Sequence, residues 1–314
     1  MMNAGIGTGR ITGWGSYLPD KIVTNHDLAE SMETNDEWIR ERTGIGQRHI
    51  GTTTAELAAA AGAKAMAQAG VEPSEIDLVL LATTSPDKQC PGTAPVVQHM
   101  LGLDCGALDV QAACSGFVYG LVAANGMLTT GANKILVIGA ETLSRIVDWT
   151  DRTTAILFGD GAGAVVMERT DGPGSLLGWS LGAAGEYEDI LYADHDGGCL
   201  TMNGKEVFRQ AVKVMVRSSN EALEMAGLTI DDMALVVPHQ ANARIIEAAC
   251  KRLGCPIEKT SQVLEHTGNT SSASIPLALV DALDKDRIAP GDYVLLVGFG
   301  AGMTSASAVL RWDP

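Results

Sequence analysis

The sequence is short of positive charge, of paired cysteines and of long apolar runs. Its 22 basic residues face 38 acidic ones, a formal net charge of −16 at pH 7. Such an acidic chain is not built for nonspecific binding to nucleic acid, so any anionic partner needs a local basic patch. The six cysteines, Cys90, Cys105, Cys114, Cys199, Cys250 and Cys255, form no CxxC pair and no Cys/His cluster at zinc-ligand spacing. That argues against a disulfide framework and against a structural zinc, and no metal site is expected. Reduced thiols suit a cytoplasmic enzyme. No run of about 18 apolar residues escapes polar interruption. The opening MMNAGIGTGRITGWGSYLPD lacks the basic start and continuous apolar core of a signal peptide. The expectation is a soluble, cytoplasmic protein that engages neither membrane nor nucleic acid.

What is present is enough apolar material for a sizeable core, 46% of 314 residues. Short apolar runs alternate with helix-like stretches: IDLVLLATT, a helix near residues 94–101, ALDVQAA, a helix opening at Cys114, then KILVIGAE. This alternation predicts an α/β chain with buried strands. Glycine, proline and charge interrupt it at RTDGPGSLLG, which predicts two halves, residues 1–170 and 171–314. The second half repeats the first. One displacement carries Asp77 onto Asp232, Thr84 onto His239 and Cys114 onto Asn269. KILVIGAE likewise matches YVLLVGFG, and GAGAVVMER matches SASAVLRW. A long-period repeat of αβ units predicts two related halves packed face to face, with Cys114, His239 and Asn269 on equivalent strand ends, where open α/β sheets place their sites.

A cysteine where a strand turns into a helix lies near free backbone N–H groups and the positive end of the helix dipole, so Cys114 is expected to favour thiolate. Taken alone it is more often a small buried hydrophobe, and a lone His239 or Asn269 is more often a cap or turn residue. Together the three support thioester chemistry. Cysteine accepts an acyl group, histidine and asparagine donate to a thioester carbonyl, and backbone N–H groups hold an oxyanion. GFGAG, residues 298–302, follows a strand and is placed to bring such an N–H close; it lacks the GxGxxG spacing of a dinucleotide site.

Cys114 in AACSGF, His239 in PHQANARI, Asn269 in HTGNTSSASIP, and the segments NDEWIRERTGI and DRTTAILFGDGAGAVV together resemble β-ketoacyl-acyl carrier protein synthase III. The resemblance spans about Gly13 to Trp312. It implies a thiolase-like fold, two duplicated halves in a five-layered αβαβα sandwich, and a homodimer. It implies an acyltransferase that loads a primer from acyl-CoA onto Cys114 and condenses it with malonyl-acyl carrier protein, with no cofactor beyond these thioesters. His239 and Asn269 would stabilise the enolate left by CO2, and the N–H groups of Cys114 and Ala301 the oxyanion. Many members have glycine where this chain has Ala301, which matters little for a main-chain donor. Asn269 favours an initiating enzyme, since elongating relatives usually carry a second histidine there.

The resemblance assigns Trp38, Arg42, Arg152, Gly204 and Phe208 to coenzyme A. An indole stacks on a base, and guanidinium pairs with phosphate, so the residue types fit. Carrier-protein docking falls to Gln240, Ala241, Asn242, Ala243, Arg244, Arg209, Lys251 and Arg252. Lys205, Arg209, Lys213 and Arg217 recur every four residues on one side of an expected helix. The loop TTSPDKQCPGTAP resembles one that reaches across the dimer to close the partner's acyl pocket, and Cys90 stands where some relatives have a bulky aromatic, so primers longer than acetyl are expected to fit. The competing readings are a type III polyketide or secondary-pathway condensing enzyme, a silent carrier-binding subunit, and a cysteine hydrolase using Cys-His-Asn. The plant-like polyketide synthases end in GFGPG rather than GFGAG. Silent subunits tend to lose the cysteine, and the surroundings of Cys114 lack CGSCW.

Overall fold

The computed structural model describes residues 9–194 and 197–314. Residues 1–8, part of the stretch judged unlike a signal peptide and of the expected first half, and residues 195–196 lie outside that set. Along the chain come β1 (Gly9–Tyr17), β2 (Lys21–Thr24), α1 (Asn25–Ala29), α2 (Asp36–Thr43), β3 (Gln47–Ile50), α3 (Thr54–Ala69), β4 (Leu78–Ala82), α4 (Thr93–Met100) and β5 (Gly106–Val110). Next are α5 (Gly116–Thr129), β6 (Lys134–Thr142), β7 (Asp160–Arg169), β8 (Leu176–Gly182), β9 (Leu191–Tyr192), β10 (Thr201–Met202) and α6 (Gly204–Ala226). The chain ends with β11 (Leu235–Pro238), α7 (Ala243–Leu253), α8 (Leu264–Thr267), α9 (Ser274–Asp284), β12 (Tyr293–Gly300) and β13 (Thr304–Arg311).

Two main sheets form, in orders β1-β7-β6-β4-β5 and β11-β12-β13-β8. β4 runs parallel to β5 and β6, as β11 does to β12, while β7 and β13 run antiparallel to their neighbours. Because strand side chains alternate between faces, each sheet is apolar on both. Leu80, Ile135 and Val137 of the first sheet and Leu235, Val237, Val294 and Leu296 of the second join one core with Phe117 and Leu121 of α5 and Ile275 and Leu279 of α9. Their alternates face outward: Val79, Leu81, Leu136 and Ile138 pack on α3, and Val236, Leu295 and Val297 pack with α6 and α7. The layers therefore read α3/α4, sheet, α5/α9, sheet, α6/α7. This is the αβαβα sandwich of a thiolase-like fold.

Close backbone approach fixes the layer spacing. A Cβ on Gly13 would stand 2.4 Å from the Ala65 carbonyl oxygen in α3, and one on Gly178 2.3 Å from that of Ala222 in α6, so the two outer layers use the same device. In the centre, a Cβ on Gly139 would meet the Ser272 carbonyl oxygen at 2.3 Å. Substitution at any of these positions forces backbone to move.

The repeat is present, but in a different register. Leu78 pairs with Ile135 as Leu235 pairs with Val294, so His239 corresponds to Ala82 rather than Thr84. Ala113 at φ 47° and Ser271 at φ 46° each open a three-residue 3-10 turn, Ala113–Ser115 and Ser271–Ala273, that feeds α5 or α9. Cys114 thus corresponds to Ser272, and Asn269 lies just before the matching turn. Apolar strands carry few letters that distinguish one register from the next, so one displacement joined three positions that the fold does not pair.

Candidate active site

Cys114 sits in the turn after β5, and residues from the other half hold that turn. Thr304 donates its hydroxyl to the Ala112 carbonyl at 3.0 Å. A Cβ on Gly300 would lie 2.5 Å from the Cys114 nitrogen and 2.7 Å from the Ala113 Cβ. GFGAG is therefore glycine-rich because β12 runs directly against the turn that carries Cys114, and Ala301 lines the same cavity as Cys114.

His239 follows the last residue of β11, and its N–H donates to the Val297 carbonyl at 2.8 Å. Its ring meets Phe299 edge-on, with centroids 5.2 Å apart, and Nδ1 lies 2.6 Å from Ser274 Oγ. The Asn269 backbone is clamped to the first half: its N–H donates to Leu157 O at 2.8 Å, and its own carbonyl accepts from the Gly159 N–H at 3.0 Å. The Asn269 side-chain oxygen accepts the Ser271 N–H at 2.9 Å, which leaves the amide NH2 to donate.

One cavity of about 450 Å³ is lined by Cys114, His239 and Asn269 together. All three are buried, at 8%, 1% and 6% exposure. Burial pushes the Cys114 thiol up to about 12, with the Glu141 charge adding to it and a hydrogen bond to Ser271 opposing. Burial likewise pushes His239 down to about 3. This corrects the expectation of a resting thiolate. α5 begins at Gly116, beyond the cysteine, and loss of hydration outweighs the half-charge of a helix end. At neutral pH the pair rests as thiol and neutral imidazole.

Trp38, Arg42, Arg152, Gly204 and Phe208 line the same cavity. α2 presents the tryptophan because Asn35 caps its N-terminus, accepting the Trp38 N–H at 2.8 Å, while Gly44 ends it with φ 80°. The guanidinium carbons of Arg42 and Arg152 lie 4.9 and 5.3 Å from the Trp38 ring centroid, so the mouth is an indole flanked by two cations. A second cavity, about 400 Å³, is also lined by Cys114 and includes Leu143, Ile146, Phe158, Leu191 and Leu200.

The docking set divides. Arg209, Arg244, Lys251 and Arg252 are exposed, and Asn242 and Ala243 partly so. Lys205, Arg209, Lys213 and Arg217 lie on α6 and are exposed. Gln240 is a correction: it is wholly buried, donating to the Pro238 and Ser261 carbonyls and accepting from the Val263 and Leu264 N–H groups. Ala241 is 8% exposed and lines the cavity instead of the outer surface. Three residues escaped the sequence reading. Ser271 and Ser274 stand in the SSAS run after Asn269, and Glu141 is a wholly buried carboxylate accepting from the hydroxyls of Thr83, Ser85 and Ser272.

A five-layered sandwich with a buried cysteine, an imidazole and a carboxamide around one cavity defines a thiolase-fold acyltransferase. The family described as 3-oxoacyl-[acyl-carrier-protein] synthase III matches residues 108–185, and its C-terminal counterpart matches residues 223–312. The β-ketoacyl-[acyl-carrier-protein] synthase III of Roseiflexus castenholzii is 48% identical over 96% of this chain and 98% of its own. That of Geobacillus kaustophilus is 49% identical over the same shares. The crystal structure of the Aquifex aeolicus synthase III superposes with a TM-score of 0.94 at 43% identity, covering 97% of this chain and all of that one. The chain belongs to the β-ketoacyl-acyl carrier protein synthase III family. It is a condensing acyltransferase of initiating fatty acid synthesis, and its chemistry calls for no cofactor beyond its thioester substrates.

Proposed function

We propose that Cys114 takes an acyl group from acyl-CoA and that His239 and Asn269 then drive condensation of that group with malonyl-acyl carrier protein. The observation that carries this reading is the single cavity lined by all three side chains. In the first half-reaction the Cys114 sulfur bonds the primer carbonyl carbon, the bond from that carbon to the CoA sulfur breaks, and the thiol proton ends on the departing CoA. The Cys114 and Ala301 N–H groups are assigned to the oxyanion. In the second, the malonyl thioester loses CO2, and its carbonyl oxygen takes up charge facing His239 and the Asn269 NH2. The carbanion carbon attacks the Cys114 thioester, giving 3-oxoacyl-acyl carrier protein and returning the thiolate, which takes up a proton. Decarboxylation replaces a strong base, so the site needs donors more than a proton acceptor, and a neutral buried histidine suits it.

The two arginines on Trp38 support the assignment of the 450 Å³ cavity to coenzyme A and the carrier's pantetheine arm. The mainly apolar second cavity supports primers longer than acetyl. An exposed edge strand, β5, with Leu108 40% exposed, supports a homodimer. Two halves divided between residues 170 and 171 accord with β7 ending the first sheet at Arg169 and β8 opening the second at Leu176. A cytoplasmic setting suits six free thiols.

The deciding experiment runs the half-reactions separately with labelled acyl-CoA and malonyl-acyl carrier protein. Cys114→Ser should abolish stable thioester formation. Asn269→Ala should slow decarboxylation by about 100-fold while sparing acyl transfer, and equal loss of both would mean the roles are wrongly divided.

A further inference from the structure

We infer that Ser274 is a positioning residue that decides which ring nitrogen of His239 carries the proton. The inference rests on the reading of His239 as a donor to the malonyl thioester. Ser274 is the first residue of α9 and, at 0% exposure, lines neither cavity. Its hydroxyl meets His239 Nδ1 at 2.6 Å, the one side-chain hydrogen bond of either group among the described residues.

A hydroxyl carries one proton, and a neutral imidazole carries one N–H, so only two arrangements satisfy this contact. In the first, Ser274 donates to Nδ1, and the ring proton sits on Nε2. In the second, Nδ1–H donates to Ser274 Oγ. The serine proton then has no acceptor in a place that water does not reach, and buried donors left unpaired are rare in folded proteins. The first arrangement follows. Because Nδ1 is spent on a wholly buried partner, Nε2 is the nitrogen that His239 has left for the cavity it shares with Asn269. Two N–H donors then face one thioester oxygen. The opposite tautomer would turn a lone pair toward that oxygen and oppose the charge developing there. The Phe299 ring, edge-on at 5.2 Å, obstructs the ring rotation that would exchange the two edges.

Serine supplies what other small residues do not. Alanine has no proton to give, and a carboxylate would only accept, holding the proton on Nδ1. The test combines spectroscopy with kinetics on the full-length enzyme. In protein labelled with 15N at histidine, long-range 1H–15N correlation at neutral pH should show His239 protonated at Nε2. Ser274→Ala should give a mixture of tautomers and lower kcat for malonyl-acyl carrier protein decarboxylation about tenfold, short of the roughly 100-fold loss from deleting a donor outright. KM for the carrier substrate should stay unchanged, and Ser274→Thr, which keeps the hydroxyl, should recover both the spectrum and kcat. A wild-type ring protonated at Nδ1 overturns the inference, as does Ser274→Ala with an unaltered ring and unaltered decarboxylation. If the spectra behave as expected but His239→Ala decarboxylates at the wild-type rate, the assignment of the proton stands and the donor reading falls.

Discussion

Cys114, the proposed nucleophile, is stored as a thiol. A thiolate is favoured by helix ends and cations, yet here burial dominates and raises the group to about 12. Thiol and thioester exchange one proton for another, so the overall acyl transfer needs no free thiolate in solution. Direct alkylation by iodoacetamide does. Below its pKa the thiolate fraction grows about tenfold per pH unit, so labelling of Cys114, followed by mass spectrometry to separate it from exposed Cys90 and Cys199, should keep rising from pH 7 to pH 9. A plateau below pH 8 would show a resting thiolate and overturn the burial argument. Cys114, His239 and Asn269 were legible because each is a polar or reactive letter at the edge of an apolar run. Gln240 was misread for the same reason. Its neighbours in PHQANAR look like surface, and only the fold shows its amide consumed by four backbone groups. Glu141 and Ser274 were illegible, since their partners lie far away in sequence: Glu141 with Thr83 and Ser272, Ser274 with His239.

At the scale of elements, α7 combines a structural side with the side proposed for carrier docking. Asn242 caps it, accepting the Arg244 N–H at 2.9 Å and donating to the Arg42 carbonyl at 3.0 Å, so the helix start is tied to the tryptophan-bearing α2. Its inner side, Ile245, Ile246, Ala249 and Cys250, packs on the second sheet, which leaves Arg244, Lys251 and Arg252 outward. Arg209 on α6 is half committed, since Glu206 holds it at 2.6 Å, and exposed pairs of this kind add little to stability. An acidic carrier protein should therefore meet chiefly the cations of α7. Arg244→Glu with Lys251→Glu should raise KM for malonyl-acyl carrier protein by about tenfold or more, consistent with loss of charge steering, and should leave KM for acyl-CoA within about twofold. Unchanged carrier KM would remove this docking face. Helices such as α6, with cations every fourth residue, were legible from spacing. Strand register was not, because β4 and β11 are runs of leucine and valine whose alignment is set by hydrogen-bond partners in β6 and β12.

At the scale of the whole molecule, each main sheet ends in edge strands, and β5 is one of them. β5 pairs with β4 alone, and Leu108 is exposed at its centre. A second copy covering this edge would protect it from pairing with other chains. Leu108→Lys should convert a dimer to a monomer by light scattering at micromolar concentration. If the loop bearing Cys90 closes the partner's acyl cavity, the same variant should also change relative rates with acetyl-, isobutyryl- and octanoyl-CoA. A variant that stays dimeric misplaces the interface, and strict acetyl preference in the wild type would count against the larger primer.

The contact of Gly139 with the Ser272 carbonyl determines more than packing. Cys114 follows a strand of the first sheet and His239 one of the second, with α5 and α9 between the sheets as a spacer of set thickness. That spacer acts as a gauge for the reaction. In the proposed reaction, any change that swells or thins the middle layer alters the span between the Cys114 sulfur and the His239 ring, even with both side chains intact. A solvent-facing helix can drift without reaching that span. Tolerance to change should thus follow depth from the central layer more closely than distance along the chain from Cys114.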